Sequence, residues 1–332
     1  MKIKLIPLLL LLIAPLITFS QDGLPVYTDY LADNLYVIHP SMAGAAPGTR
    51  IRLGARQQWF DQKNAPNLQT LNVASRITER SGIGGIVFND QNGFHSQTGG
   101  YLTYAHHIPF SFIDSELNQL SFGLSAGIID SRLDETQFNL ENYDPIIYGN
   151  ILSATYFNMD AGVSYHFLDF AAHFTVKNLL YQKRLNYTEE IESINQRKYL
   201  LGASYAMGTM NKDWGFEPSF MFMHTEGTQE TSVDLNFRAI KRFDGGRGWA
   251  GLSYRRALDT PDFEEGLGSK GDAMQHITPV IGINFHNFVF AYMYSYQMGN
   301  VTFDNGGFHH LTLGYNFGVR QDKYDCNCPN VN

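Results

Sequence analysis

Cysteine is nearly missing from this chain: two residues in 332, Cys326 and Cys328, both in the last seven positions. An exported protein that relied on disulfides would spread more of them along its length. A Cys-x-Cys bridge is geometrically awkward, and two thiolates are too few for a closed metal site. The pair is expected to be incidental to the fold. Charge is also scarce, at 17% of residues against about 25% in an average soluble domain. The formal net charge of -8 lacks the basic footprint of a nucleic-acid binder. Past the first run, Leu5 to Ile17, no stretch approaches 18 consecutive apolar residues, which excludes helical membrane spans. Nor does any internal repeat, low-complexity tract or linker divide the chain.

What is present begins with a leader. Lys2 and Lys4 precede the apolar run, and Thr18 and Ser20 precede Gln21, so residues 1–20 read as a signal peptide cleaved after Ser20. Gln21 is not cysteine, and a lipidated N-terminus is not expected. Glycine (31), tyrosine (19) and phenylalanine (24) are abundant. Aromatics favour pleated strands, and glycine suits turns and crowded inner faces.

The strands announce themselves by alternation. Leu120, Phe122, Leu124, Ala126 and Ile128 fall on one side of an extended chain, with Ser121, Gly123, Ser125 and Gly127 on the other. Phe157, Met159, Ala161, Val163, Tyr165 and Phe167 repeat the pattern, and Phe170, Ala172, Phe174 and Val176 repeat it after barely a turn. Such runs exceed the usual globular strand and match the roughly 9–11 residues a tilted strand needs to cross a bilayer. Similar runs start at Thr49, near Leu68, at Gly82 (glycine-rich and blurred), at Gly99, near Tyr199, at Phe216, at Val233, at Gly248, at Ile277 (its pairing weakened by Pro279), at Phe288, and last at His310, where Leu311, Leu313, Tyr315, Phe317 and Val319 oppose His310, Thr312, Gly314, Asn316 and Gly318. The total is fourteen, an even number, as single-chain outer-membrane barrels require. Among every second connector most are short, as at Leu168–Asp169, 244–247 and His286–Asn287. The opposite set includes Asp130 to Thr155, Gln182 to Arg197 and Asp259 to Asp272, each long and polar. Short turns on one side and long loops on the other belong to such barrels.

The expected architecture is therefore all-β: a transmembrane antiparallel barrel of about 14 strands over residues 48–319, with a periplasmic tail at 320–332. Residues 21–47 lack alternation and carry Pro25, Pro40 and Pro47. They are expected to pack at or inside the barrel mouth, the alternative being a mobile periplasmic leader.

Candidate chemistry is thin. Arg50, Arg52 and Arg56 share one face of the first strand, and Arg76 joins them from the second. Arginine at mid-membrane costs about 2–4 kcal/mol, so these look inward. As a functional patch they bind an anionic plug, a lipid headgroup or a partner carboxylate; as a structural one they pair with inner acids such as Asp160 or Asp234. His106 with His107, and His309 with His310, are sequence neighbours on strands and point to opposite faces, so neither pair chelates one ion. His166 and His173 sit on polar faces near a tight turn and read as hydrogen-bonding residues. There is no G-x-S-x-G elbow and no Ser, His and acid set picked out by spacing. The glycines from Gly82 to Gly85 precede no helix and form no nucleotide loop. No catalytic residue, cofactor or metal is assigned. Trp59, Tyr101, Trp214 and Trp249 are expected near strand ends, as interface girdles.

The order of landmarks resembles a known family. HPSMAG at His39–Gly44, RQQW at Arg56–Trp59, AP at Ala65–Pro66 followed by LQTLNVAS, and GIGGIVFNDQNG at Gly82–Gly93 together resemble the PorP/SprF family of type IX secretion membrane proteins. PSF at Pro218–Phe220, LSYR at Leu252–Arg255 and the closing HHLTLGYNF are similar in kind, although the closing block usually has His-Glu where His309 and His310 stand. Each motif alone is weak; the ordered set covers nearly the whole mature chain. The resemblance implies an outer-membrane barrel of a secretion and gliding apparatus that docks or anchors a secreted surface protein, an adhesin, through its C-terminal sorting domain, with periplasmic secretion-machinery components and outer-membrane lipid as further partners. The alternatives are an outer-membrane channel for small hydrophobic or anionic solutes and a soluble periplasmic β-protein.

Overall fold

The alternation is realised as a sheet that closes on itself. The computed structural model describes residues 34–58, 60, 64–111, 116–137, 149–180, 197–208, 213–226, 228–258, 275–298 and 307–318. Fourteen strands follow in order: β1 (Thr49–Gln58), β2 (Asn67–Arg76), β3 (Ser81–Asn92), β4 (His95–Pro109), β5 (Asn118–Asp134), β6 (Ile151–Phe167), β7 (Phe170–Lys177), β8 (Lys198–Tyr205), β9 (Trp214–Thr225), β10 (Thr231–Phe243), β11 (Gly246–Ala257), β12 (Gln275–Phe285), β13 (Phe288–Met298) and β14 (Gly307–Phe317). Each pairs antiparallel with its sequence neighbours, and β14 closes on β1 from Thr49↔Phe317 to Gln58↔Phe308. Closure is what lipid demands, because hydrocarbon offers no partner to a free sheet edge. Among the described residues no helix is long and apolar enough to cross a membrane.

The two faces are sorted as the alternation predicts, and inside out relative to a soluble protein. Outward side chains are apolar and bare: Leu102 is 77% exposed, Phe288 64% and Ile128 62%. Inward side chains are buried and largely polar, among them Asn72, Thr103, His107, Asn158, Ser164, Thr175, Glu217, Asp234, Arg238 and Thr312. Two stacked sheets would bury the first set; a barrel in lipid leaves it to the acyl chains. At the end where β1 begins, the connectors 77–80, 168–169, 244–245 and 286–287 are tight. The opposite end carries 135–150, 178–197 and 258–274, with the short connectors 93–94 and 226–230 as exceptions.

Prolines and glycines mark where the ladder yields. Thr278 and Pro279 drop out of the pairing between β12 and β13, as the missing N–H requires. The Thr278 and Ser295 hydroxyls bond across the gap instead, at 2.7 Å. Three expectations are corrected. The segment expected to loop from Asp130 to Thr155 is strand at both ends: β5 runs on to Asp134 and β6 starts at Ile151. Tyr101 and Trp249 are not girdle residues; both turn inward and are buried, because each finds a hydrogen-bond partner inside, Tyr101 with Asn158 and Trp249 with Asn284. The eighth strand, expected from about Tyr199 to Met207, stops at Tyr205, beyond which Met207 makes only an isolated bridge to Phe216. Trp214 is exposed at the first position of β9, as a girdle residue should be. Trp59, Cys326, Cys328, the signal peptide and most of the expected loops Gln182–Arg197 and Asp259–Asp272 lie outside the described residues.

Candidate functional site: the plugged lumen

Two single-turn 3-10 helices, Leu35–Val37 and Pro40–Met42, lie inside the barrel against β2 to β7. Prolines and small residues keep this segment from becoming a strand, and Gly44 (φ 64) and Gly48 (φ 81) bend it back to the rim where β1 starts. The wall has been thinned to receive it. A Cβ at Gly123 or Gly82 would overlap backbone atoms, Pro40 and Ser41 for the first and Ala43 for the second. A Cβ at Gly84 would overlap the Tyr36 phenol, and one at Gly162 would lie 3.2 Å from the Pro40 ring. Gly123 and Gly162 face each other in the β5–β6 register, so a paired gap in the inner wall takes the proline. The same requirement explains the blurred alternation of β3, whose inward Gly82 and Gly84 give way to the plug.

Polar hooks then hold the segment. Arg76 donates from Nε to the Gly44 carbonyl (2.7 Å) and from Nη2 to that of Ala45 (2.6 Å). His107 Nε2 lies 3.1 Å from the Ala43 carbonyl, which can only accept, so Nε2 carries the proton and Nδ1 accepts from the Ser121 hydroxyl at 2.9 Å. Lys177 donates to the Val37 carbonyl (3.1 Å) and to Asp160 (3.3 Å). The Tyr36 hydroxyl donates to Thr103 Oγ1 (2.8 Å). Ser41 meets Ser164 (2.6 Å), which meets His173 Nδ1 (2.7 Å), and the His39 ring stacks on His173 at 4.8 Å with Nδ1 2.8 Å from Thr175 Oγ1. Each bond is worth about 0.5–1.5 kcal/mol net, and each leaves a costly orphan if the plug departs. Burial, reinforced by the neighbouring His173 and by the Lys177 ammonium, holds the His39 imidazole well below its ordinary pKa. Burial likewise pushes the Tyr36 phenol up to about 12. Both groups are therefore neutral in the plug.

The four arginines divide. Arg50, Arg52 and Arg56 line β1 facing inward, and with Asn72, Tyr36 and Met42 the first two border a cavity of about 40 Å³ beside the plug, room for a water or two. Arg52 donates to Asn316 Oδ1 (2.8 Å), and the Arg56 guanidinium lies 3.8 Å over the Phe308 ring. Arg76 clamps the plug. Of the acids expected to pair with them, Asp160 meets Lys177, and Asp234 meets Arg255 in a two-pronged contact at 2.7 and 2.8 Å. Across the lumen Arg238 pairs with Glu217 at 2.7 Å, both buried. Sequence reasoning missed His39, Ser41 and Lys177 as plug contacts. Their signal was the block His39–Gly44, conspicuous for its proline and small residues yet carrying no chemical pattern of its own. Among the described residues no group of three or more His, Cys, Asp or Glu is placed to hold a metal ion.

Among solved structures the chain is similar to the CymD monoaromatic hydrocarbon channel (10% identity, 86% of this chain and 93% of that one, TM-score 0.47). It is also similar to the P. putida toluene transporter TodX (10%, 87% and 95%, TM-score 0.44) and to the Acinetobacter baumannii outer membrane protein Omp33 (6%, 82% and 100%, TM-score 0.43). No curated protein matches the sequence. The family is one of membrane proteins and not an enzyme class. The model of the type IX secretion system membrane protein PorP/SprF matches residues 19–315, and the chain belongs to that family.

Proposed function

We propose that this barrel is a docking receptor, which holds a secreted surface protein at the outer membrane through that protein's C-terminal sorting domain. The observation that carries the reading is the occupied lumen. Every strand turns at least one buried side chain inward, and the segment 34–47 fills the space between β2 and β7. A barrel filled by its own chain offers a scaffold and an outer rim, and a rim of polar loops on one side is the natural contact surface for an extracellular partner. Membership of a type IX secretion family supports a secreted cargo as that partner. Pull-down of the intact protein from detergent-solubilised outer membranes of its native host is expected to recover a large secreted protein bearing a sorting domain. Recovery of the barrel alone, together with normal surface display in a deletion strain, would overturn the reading.

A further inference from the structure

We infer that the lipid-facing side of β4 to β7 holds one glycerophospholipid of the periplasmic leaflet, with an acyl chain laid in an apolar groove and the headgroup at the rim beside Arg80. The groove, of about 320 Å³, is cut into the outside of the wall that the plug backs from within. Its sides are Phe122 and Leu124 of β5 and Phe174 and Val176 of β7, and between them β6 offers Ala161 and Val163. Register explains the hollow. One row across the sheet reads Tyr104, Leu124, Ala161, Val176, so a single methyl group stands between larger side chains. Gly123 and Gly162 complete the floor, the same pair that leaves room for Pro40 on the inner side. At that pair the wall is bare backbone, with the plug against one side and the groove on the other.

The groove has one polar end and one apolar end, and that asymmetry selects its occupant. The neighbouring row reads Ser81, His106, Phe122, Val163, Phe174. Ser81 is the first residue of β3, at the rim with the tight turns, whereas Phe174 lies in the interior of β7. Tight turns of such barrels face the periplasm, and strand tilt carries the row from that membrane surface into the hydrocarbon. At the shallow end the Tyr104 hydroxyl lies 3.1 Å from Ser81 Oγ and 3.4 Å from His106 Nδ1. The turn before β3 adds Arg80 and Glu79, both exposed. An arginine is suited to a phosphodiester, and a carboxylate beside it to an amine. A headgroup that carries both, as phosphatidylethanolamine does, meets both charges.

Size favours a hydrocarbon chain over a protein element. One turn of helix, with its side chains, sweeps about 400–600 Å³, more than the groove contains. A flexible acyl chain narrows to fit. Lipid bound here is independent of whatever the outer rim docks, because the groove opens to the membrane on the periplasmic half of the barrel.

Native mass spectrometry of the whole protein, released from detergent micelles loaded with palmitoyl-oleoyl phosphatidylethanolamine, tests the assignment. Wild type is expected to keep one phospholipid at collision energies that strip the rest, and to keep diacylglycerol, which has the same tails and no headgroup, markedly less. Ala161→Phe fills the hollow from the lipid side and is expected to lower the retained fraction at least about tenfold in a barrel that stays heat-modifiable. Leu235→Phe, outward on β10, should match wild type. Arg80→Ala is expected to weaken retention of phosphatidylethanolamine and to leave that of diacylglycerol unchanged. Wild type that keeps no lipid, or keeps the two lipids equally, would overturn the assignment without recourse to any variant. So would undiminished retention in folded Ala161→Phe. A second copy or another protein that Ala161→Phe releases would make the groove a protein contact and overturn it as well.

Discussion

Single residues decide whether the plug fits. Gly123 has no room for a side chain because Pro40 and Ser41 occupy the place of its Cβ. Gly123→Val is expected to displace the plug at a cost of about 1–3 kcal/mol, read as a lowered heat-modification temperature and new protease cleavage between residues 34 and 47. His39 gives a second handle. Its pKa in the folded protein lies well below its ordinary value of about 6.5, so the neutral form is the one that docks. Its contribution is therefore complete above about pH 6.5 and is lost as pH falls from there towards the folded value. Thermal stability of the wild type is expected to drop from pH 7 to pH 5, and His39→Phe, which keeps a ring to stack on His173, is expected to lose part of that drop. Equal pH slopes in the two proteins would contradict this assignment. Little of this chemistry was legible beforehand. The arginines of β1 could be placed inward because lipid forbids them outward, but their partners could not, since the pairing of Asp160 with Lys177 and of Asp234 with Arg255 depends on register between strands. Tyr101 and Trp249 misled for a related reason: an aromatic with a polar tip suits a membrane interface and a polar lumen equally well.

Elements were far more readable than residues, because one face of each strand meets lipid and the other meets polar groups, and a period of two survives any choice of side chain within those classes. The reading failed where the outer solvent changed. On β5 the outward positions beyond Ile128 are Asp130, Arg132 and Asp134, since this part of the hairpin has left the membrane. With both faces in water the alternation disappears and a strand looks like a loop. The same transition is testable by substitution. Leu124 lies in the middle of the apolar stretch of β5, and Leu124→Arg is expected to lower unfolding stability in lipid by about 2–4 kcal/mol. Thr155→Arg, outward on β6 beyond the boundary, is expected to change it by less than about 0.5 kcal/mol. Guanidinium titrations of the two variants in the same vesicles check the pair. A comparable loss for both would move the lipid boundary outward.

For the whole molecule, closure and occupancy are the two facts that matter. Closure follows from the absence of hydrogen-bonding partners in lipid, and it was foreseeable from an even count of long alternating runs with short turns at one end. Occupancy was foreseeable only in outline, from a segment at residues 21–47 too irregular for a strand and too short for a domain. The docking role proposed above takes the barrel to bind instead of conducting. Conductance in planar bilayers measures that difference most directly. The purified wild type is expected to give no sustained current steps, and a variant lacking residues 34–46 that remains heat-modifiable is expected to give them. Stable open-pore steps from the wild type, unchanged by the deletion, would contradict the account.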